Sequence, residues 1–227
     1  MTEVVILALS DIHGNLYNVR RLASRRETAD LILISGDITD FGSLDDAKTV
    51  LTILSEITGN ILYVPGNCDP PQLLEKGVPG YEAGWLHGRV IRYDNLLIGG
   101  LGGGGLSPFG TPIELTEEEF EEYAVRISNS WREMKQEKDI RILLSHMPPL
   151  RTKLSLTYSG DDIGSSSIRN LIEENLVELC LCGHLHERRG IDTMGRCLLI
   201  NPGPLRYGFY AKVKIVAGEI KVDFKEV

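Results

Sequence analysis

Apolar residues run almost without interruption at EVVILAL (3–9), ADLILI (29–34), NILYV (60–64) and IRILL (140–144). Continuous runs of this length mark central strands covered on both faces, where a sheet with one wet face would alternate. Between the first two runs, Leu16, Val19, Leu22 and Ala23 fall on one helical face, and between the next two Leu44, Ala47, Leu51, Leu54 and Ile57 do the same. Thr116 and Glu119 stand in capping-box spacing at the head of LTEEEFEEYAVRISNSWREMKQEKD. In that stretch Phe120, Ala124, Ile127, Trp131 and Met134 share a face, which leaves the acidic residues to solvent. Ser165 to Ser167 can cap a further short helix through Glu174. Beyond it VELCLC, RGIDTM, RCLLIN, GFYAKVKIV and EIKVDFK read as shorter, turn-separated strands and suggest a second sheet. The expected fold is α/β, a four-layer α-β-β-α sandwich of two packed mixed sheets flanked by helices, in one domain spanning residues 1–227.

Charge narrows the possible partners. A net charge of −8 without a basic stripe argues against a broad nucleic-acid surface, which needs cations to neutralise phosphates. The segment MTEVVILALS lacks a basic leader, and no apolar run approaches the roughly 20 residues that span a bilayer. A cytoplasmic enzyme without membrane contact is expected, its oligomeric state unspecified. Cys68, Cys180, Cys182 and Cys197 show no paired metal spacing and are expected to be reduced and mostly buried.

The chemistry gathers in five short segments. Four of the five histidines lie in DIHGN (11–15), SHMPP (145–149) and GHLH (183–186), and GDITD (36–40) and GNCD (66–69) follow apolar runs between them. Imidazole and carboxylate are the ligand set of divalent manganese, nickel, zinc and iron. Asp11, His13, Asp37, Asn67, His146, His184 and His186 make seven candidates, too many for one open metal and suited to two ions sharing a bridging carboxylate. Each block alone reads as readily as turn chemistry; their ordered combination is what points to metal. His87, in GWLHGRVI, is expected in a surface or satisfied polar role, away from metal. Gly102 to Gly105 lack the Gly-Lys-Ser/Thr of a phosphate-binding loop and read as a flexible turn within a candidate rim loop, 102–112, with 147–164 as a second.

These blocks resemble those of the calcineurin-like metallophosphoesterase family: DxH, GDxxD, GNH followed by Asp or Glu, a later His, and GHxH, all in that order from residue 11 to 186, with NPGP at 201–204 extending the match. The resemblance implies one metal held by Asp11, His13, Asp37 and His186, and a second by Asp37, Asn67, His146 and His184, with Asp37 bridging. It implies a binuclear phosphoesterase in which metal-activated hydroxide attacks phosphorus in line, with two divalent ions among which manganese is favoured. Asp37, Asn67 and His146 thereby carry both metal and catalysis.

One position departs from the pattern. Cys68 stands where the family usually has a histidine thought to act as general acid together with the following carboxylate, here Asp69. A thiol donates hydrogen bonds poorly, so esters with poor leaving groups should suffer most. Small single-domain bacterial and archaeal members with GNCD look similar here and are associated with phosphodiester hydrolysis. Asp40 and His13 replace the Tyr and Gly of purple acid phosphatases, and Phe41-Gly42 replaces the Arg-Gly of protein phosphatases. The expected substrate is a small or accessible phosphodiester, nucleotide derivatives included. The alternatives are a phosphomonoesterase or protein phosphatase of the same family, or a metal-binding scaffold. Asn201 is expected behind the ligands at most.

Overall fold

The computed structural model describes residues 3–227. Strands β1 (Val4–Leu9), β2 (Leu31–Ser35) and β3 (Ile61–Val64) pair in parallel, joined by helices α1 (Leu16–Ser24) and α2 (Leu44–Leu54). Next come the antiparallel pair β4 (Arg89–Tyr93) and β5 (Leu96–Leu101), the two-residue β6 (Gly104–Gly105) and β7 (Glu114–Leu115), and helix α3 (Glu117–Met134). β8 (Ile140–Ser145), α4 (Ser166–Asn175), β9 (Leu179–Leu181), β10 (Gly190–Met194) and β11 (Cys197–Asn201) follow, and β12 (Phe209–Val216) and β13 (Glu219–Glu226) end the chain.

The order β13-β12-β1-β2-β3 makes one sheet and β10-β11-β9-β8-β5-β4 the other. Alternation along each strand builds the layers. In β1, Ile6 and Ala8 join Ile142, Leu144 and Leu181 in a core between the sheets, while Leu7 and Leu9 pack outward on Val19, Leu22, Ala47 and Leu51 of α1 and α2. In β8, Leu143 turns outward to meet Phe120, Trp131, Ile168 and Leu171 of α3 and α4. The result is the expected four-layer sandwich. Both faces of the central strands are buried, which is why their sequences are unbroken apolar runs.

Caps start the helices where the spacing predicts. Thr116 accepts from the Glu119 N–H while Glu119 accepts from the Thr116 N–H, and Ser43 and Asp46 form the same box on α2. Ser165 caps α4, and Glu117 of α3 reaches across to it: its carboxylate accepts from the Ser167 N–H at 2.9 Å and the Ser166 hydroxyl at 2.7 Å. An acidic side chain from one helix thus answers the exposed amides and positive dipole end of another.

Sheet membership differs from the sequence expectation. The last two strands return to the first sheet, where β12 runs antiparallel to β1, and β8 belongs to the second sheet beside β5 and β9. Apolar patterning reports burial and carries no record of which sheet a strand joins. The Gly102–Gly105 run also departs from a flexible turn. The Gly103 N–H donates to the Pro65 carbonyl, the Gly104 N–H to that of Ile113, and β6 pairs with β7. A Cβ on Gly104 would lie 2.7 Å from Cβ of Asn67, so glycine there permits close approach to the neighbouring loop.

Candidate metal centre

β1, β2 and β3 are parallel, as are β5, β8 and β9, so their carboxyl ends share one edge of the sandwich. Asp11, Asp37, Asn67, His146 and His184 each lie within three residues past such a strand end. The topology therefore gathers residues far apart in sequence, as expected for sites at the carboxyl edge of α/β sheets.

Backbone bonds then lock the loops together. The Asp11 N–H donates to the Gly36 carbonyl, the His13 N–H to that of Asp37 and the Gly183 N–H to that of His146, all at 2.9 to 3.1 Å. Asp11, His13, Asp37 and His184 adopt left-handed φ values of 50°, 46°, 50° and 68°. That region disfavours residues with a Cβ, and four of the ten non-glycine residues that adopt it among the described residues are these candidate ligands.

The side chains form two groups joined by one carboxylate. In the first, His13 Nε2 lies 3.2 Å from His186 Nε2, and His186 Nε2 lies 3.4 Å from Asp11 Oδ1. In the second, Asn67 Oδ1 lies 2.9 Å from His146 Nε2 and 3.0 Å from His184 Nδ1. Asp37 Oδ2 stands between them, 3.4 Å from His13 Nε2 and 3.7 Å from His146 Nε2. Its other oxygen is occupied by the Cys68 N–H at 2.8 Å.

Tautomers set by the surroundings decide what this arrangement can hold. His146 Nδ1 donates to the Ser35 carbonyl at 2.8 Å and His13 Nδ1 to Asp40 Oδ1 at 3.1 Å, which leaves lone pairs on both Nε2 atoms. Asn67 turns its amide nitrogen to the Cys68 sulfur, so Oδ1 faces the lone pair of His146. Lone pair against lone pair at hydrogen-bond distance is repulsive unless a cation sits between, and the donor set suits borderline divalent ions.

Ionisation follows the same logic. Burial above all holds His184 down to about 3, and burial lowers His146 and His13, which favours the neutral, ligating form of all three. Burial, then the carboxylates of Asp69 and Asp11, push Asp37 well above the ordinary range. Asp11 is fully buried, yet hydrogen bonding from His186 and Ser10 outweighs that penalty and lowers it to about 2. His186 is raised by its bond to Asp11. Carboxylates that repel one another beside neutral imidazoles form a site that a cation stabilises.

A calcineurin-like phosphoesterase family model matches residues 4–188. The chain belongs to that family. This phosphoesterase is 34% identical over 209 residues, 90% of either chain, to an uncharacterized protein of Methanocaldococcus jannaschii. Its fold is similar to that of a dimetal phosphatase from Danio rerio, with a TM-score of 0.70 at 14% identity over 98% of this chain and 96% of that one. It also resembles an archaeal phosphodiesterase, with a TM-score of 0.50 at 16% identity over 97% and 99% of the two chains.

The phosphoesterase uses its remaining motif residues as braces. Asp69 is fully buried, and its two oxygens accept from the Ile38, Thr39 and Gly66 N–H groups and the Thr39 hydroxyl, tying the GDITD and GNCD loops together. Cys68 is buried beside Asp37, and burial, then the charges of Asp37 and Asp69, raise its thiol so that it stays protonated. Its sulfur lies within 4.8 Å of candidate ligand atoms on His13 and Asp37. Asn201 donates to the Leu185 carbonyl at 2.9 Å and so holds the GHLH loop from behind.

Some participants have no motif to announce them. Ser10 donates to Asp11 Oδ2 at 2.5 Å, Arg206 comes within 3.7 Å of Asp40, and Tyr207 stands edge-on to His186 with ring centroids 6.1 Å apart. The only advance signal was position, next to DIHGN or just after NPGP. His87 corrects an expectation: it is 2% exposed, its Nδ1 accepts from the Gly102 N–H, and its Nε2 has no partner among the described residues. It packs edge-on against Tyr123 at 4.2 Å, where aromatic contact replaces solvent, and burial lowers it to about 4.

Proposed function

We propose that this protein is a binuclear-metal-dependent phosphodiesterase acting on a small or accessible phosphodiester. The observation that carries the reading is the placement of Asp37 Oδ2 between the two histidine groups, with its other oxygen already bonded to the Cys68 N–H. Asp11, His13, Asp37 and His186 would hold one divalent cation, and Asp37, Asn67, His146 and His184 the other, with manganese favoured. Two such ions would supply Lewis acidity toward the phosphoryl oxygens and bring the pKa of a water toward neutrality.

The chain's own residues do the rest. Ser35 and Asp40 fix the imidazoles of His146 and His13, and Asp69 keeps the Asp37 and Asn67 loops in register. Among the described residues, the one cationic side chain paired near this cluster is Arg206, and it approaches Asp40. A singly charged diester needs less compensation than a dianionic monoester, which supports the diester preference. The protonated Cys68 thiol is a weak donor, so turnover should favour esters whose leaving oxygen needs no proton. The four free, buried cysteines suit a reducing cytoplasm, and among the described residues no helix is long and apolar enough to cross a membrane.

The test is hydrolysis of bis-aryl and mono-aryl phosphates by chelator-stripped protein reloaded separately with manganese, nickel, zinc or iron. Metal-dependent diester turnover with slower monoester turnover supports the reading. Faster monoester turnover would move it to a phosphatase, and two-metal binding with no turnover of either ester to a scaffold.

A further inference from the structure

Phe41 is out of place for a residue that only closes a loop. It is 63% exposed and sits at φ 55°, a conformation that glycine or asparagine adopts at far less cost than an aromatic residue. Its N–H donates to the Cys68 carbonyl at 3.0 Å, which fixes it against the GNCD loop, and it directly follows Asp40, the partner of His13. The ring adds nothing to the buried cores, whose members lie elsewhere. Folding therefore does not account for a strained, exposed aromatic held beside the candidate metal centre.

The surface beside it supplies a reason. Phe41 lines an open groove of about 600 Å³ that begins at Asp69, next to Cys68. Pro70, Pro71, Pro79 and Pro112 form much of its walls, giving rigid apolar faces without N–H donors. Asp45 and Gln72 supply polar edges, and no lysine or arginine among the described residues lines it. A groove edged by the Asp45 carboxylate and by no cation among the described residues disfavours a second phosphate and suits an uncharged, flat group that offers hydrogen-bond donors at its rim.

We propose that this groove binds a nucleobase attached through its sugar to the scissile phosphate, with Phe41 as the stacking face, so that Phe41 is a specificity-determining residue. The inference rests on the phosphodiesterase reading for the position of the phosphate. It predicts binding of a phosphate-free nucleoside in its own right.

The experiment measures adenosine binding to the manganese-loaded protein by calorimetry, alongside KM and kcat for bis-aryl phosphate, in wild type, F41L and F41W. Loss of one base–aromatic stack weakens binding by about tenfold. F41L should lose adenosine affinity by about that factor and raise KM more than it changes kcat, while F41W, which keeps a ring, should retain both. Leucine preserves apolar bulk at an exposed position, so a loss in F41L and its retention in F41W would assign the effect to the ring. Failure of adenosine to bind wild type at millimolar concentration, or equal affinity in F41L, overturns the groove assignment even if diesters are turned over. Phe41-dependent adenosine binding without turnover of any ester upholds the groove and removes the phosphodiesterase reading instead.

Discussion

Asp40 does for His13 what the Ser35 carbonyl does for His146: each accepts the Nδ1 proton and leaves Nε2 turned toward the centre. The difference is that Asp40 is a side chain and can be replaced. Asp40→Ala should weaken manganese binding about 10–100-fold, as loss of a ligand-orienting carboxylate does elsewhere. Calorimetric titration checks this, and unchanged affinity would remove Asp40 from the site. Asp37→Asn should lose loading of both ions and diester turnover together, with circular dichroism unchanged. Full turnover in that variant would sink the bridging assignment. At this scale the sequence was most legible for candidate ligands, because Asp11, His13, Asp37, Asn67, His146, His184 and His186 sit in compact blocks and the fold brings them together. The contacts of Arg206 and Tyr207 were not legible, since they arise only when the segment after NPGP folds back over DIHGN.

Elements position those residues through close packing, and two of their contacts can be tested separately. A methyl group at Gly104 meets Asn67, so Gly104→Ala should cost activity more than stability: roughly an ångström of ligand displacement can reduce turnover about 100-fold. Turnover falling with melting temperature in proportion would argue against displacement. The contact between α3 and α4 has a pH signature. Burial raises the Glu117 carboxyl, but hydrogen bonds from Ser166, Ser167 and Ser165 outweigh it and the net shift is downward. A depressed carboxyl contributes stability that is full above its unfolded value near 4.5 and is lost as pH falls through the lower folded value. Glu117→Gln should therefore destabilise at pH 7 and lie closer to wild type in acid, and equal gaps in melting temperature at both pH values would contradict this. Strand β5 escaped the sequence reading because LLIGGL carries two glycines that look like a turn. A Cβ on Gly99 would stand 2.8 Å from the Trp131 ring, so the residue that disguises the strand is there to let α3 lie flat on it.

Across the whole molecule, three carboxylates, Asp11, Asp37 and Asp69, are buried at one edge of the sandwich in a chain of net charge −8. Divalent cations bound there stabilise the folded state by mass action, about 2.7 kcal/mol per site at 100 times Kd. A domain of this size gains about 2–4 °C per kcal/mol. Manganese should therefore raise the melting temperature of chelator-stripped protein by about 5 °C or more, saturating with two ions, and a melting temperature indifferent to metal would remove the centre. The layer architecture was legible at this scale because unbroken apolar runs imply two covered faces. The partition of strands between sheets was not, because β8 and β12 both send apolar side chains into the core between the sheets and only tertiary pairing separates them.

That partition sets the order in which the protein can be made. Val4 pairs with Ile215 across β1 and β12, and the Leu205 and Arg206 N–H groups donate to the Ser10 and Asp11 carbonyls. β1 therefore waits for β12, its edge unpaired and its aspartate loop untethered while every motif through residue 186 has already emerged. Few local contacts can rescue such a long closure, so it is expected to be slow, which refolding kinetics would check. A chain that has not yet paired β12 with β1 can carry all five candidate blocks and still lack the tether on its DIHGN loop, so a stable centre is expected only once β12 is in place.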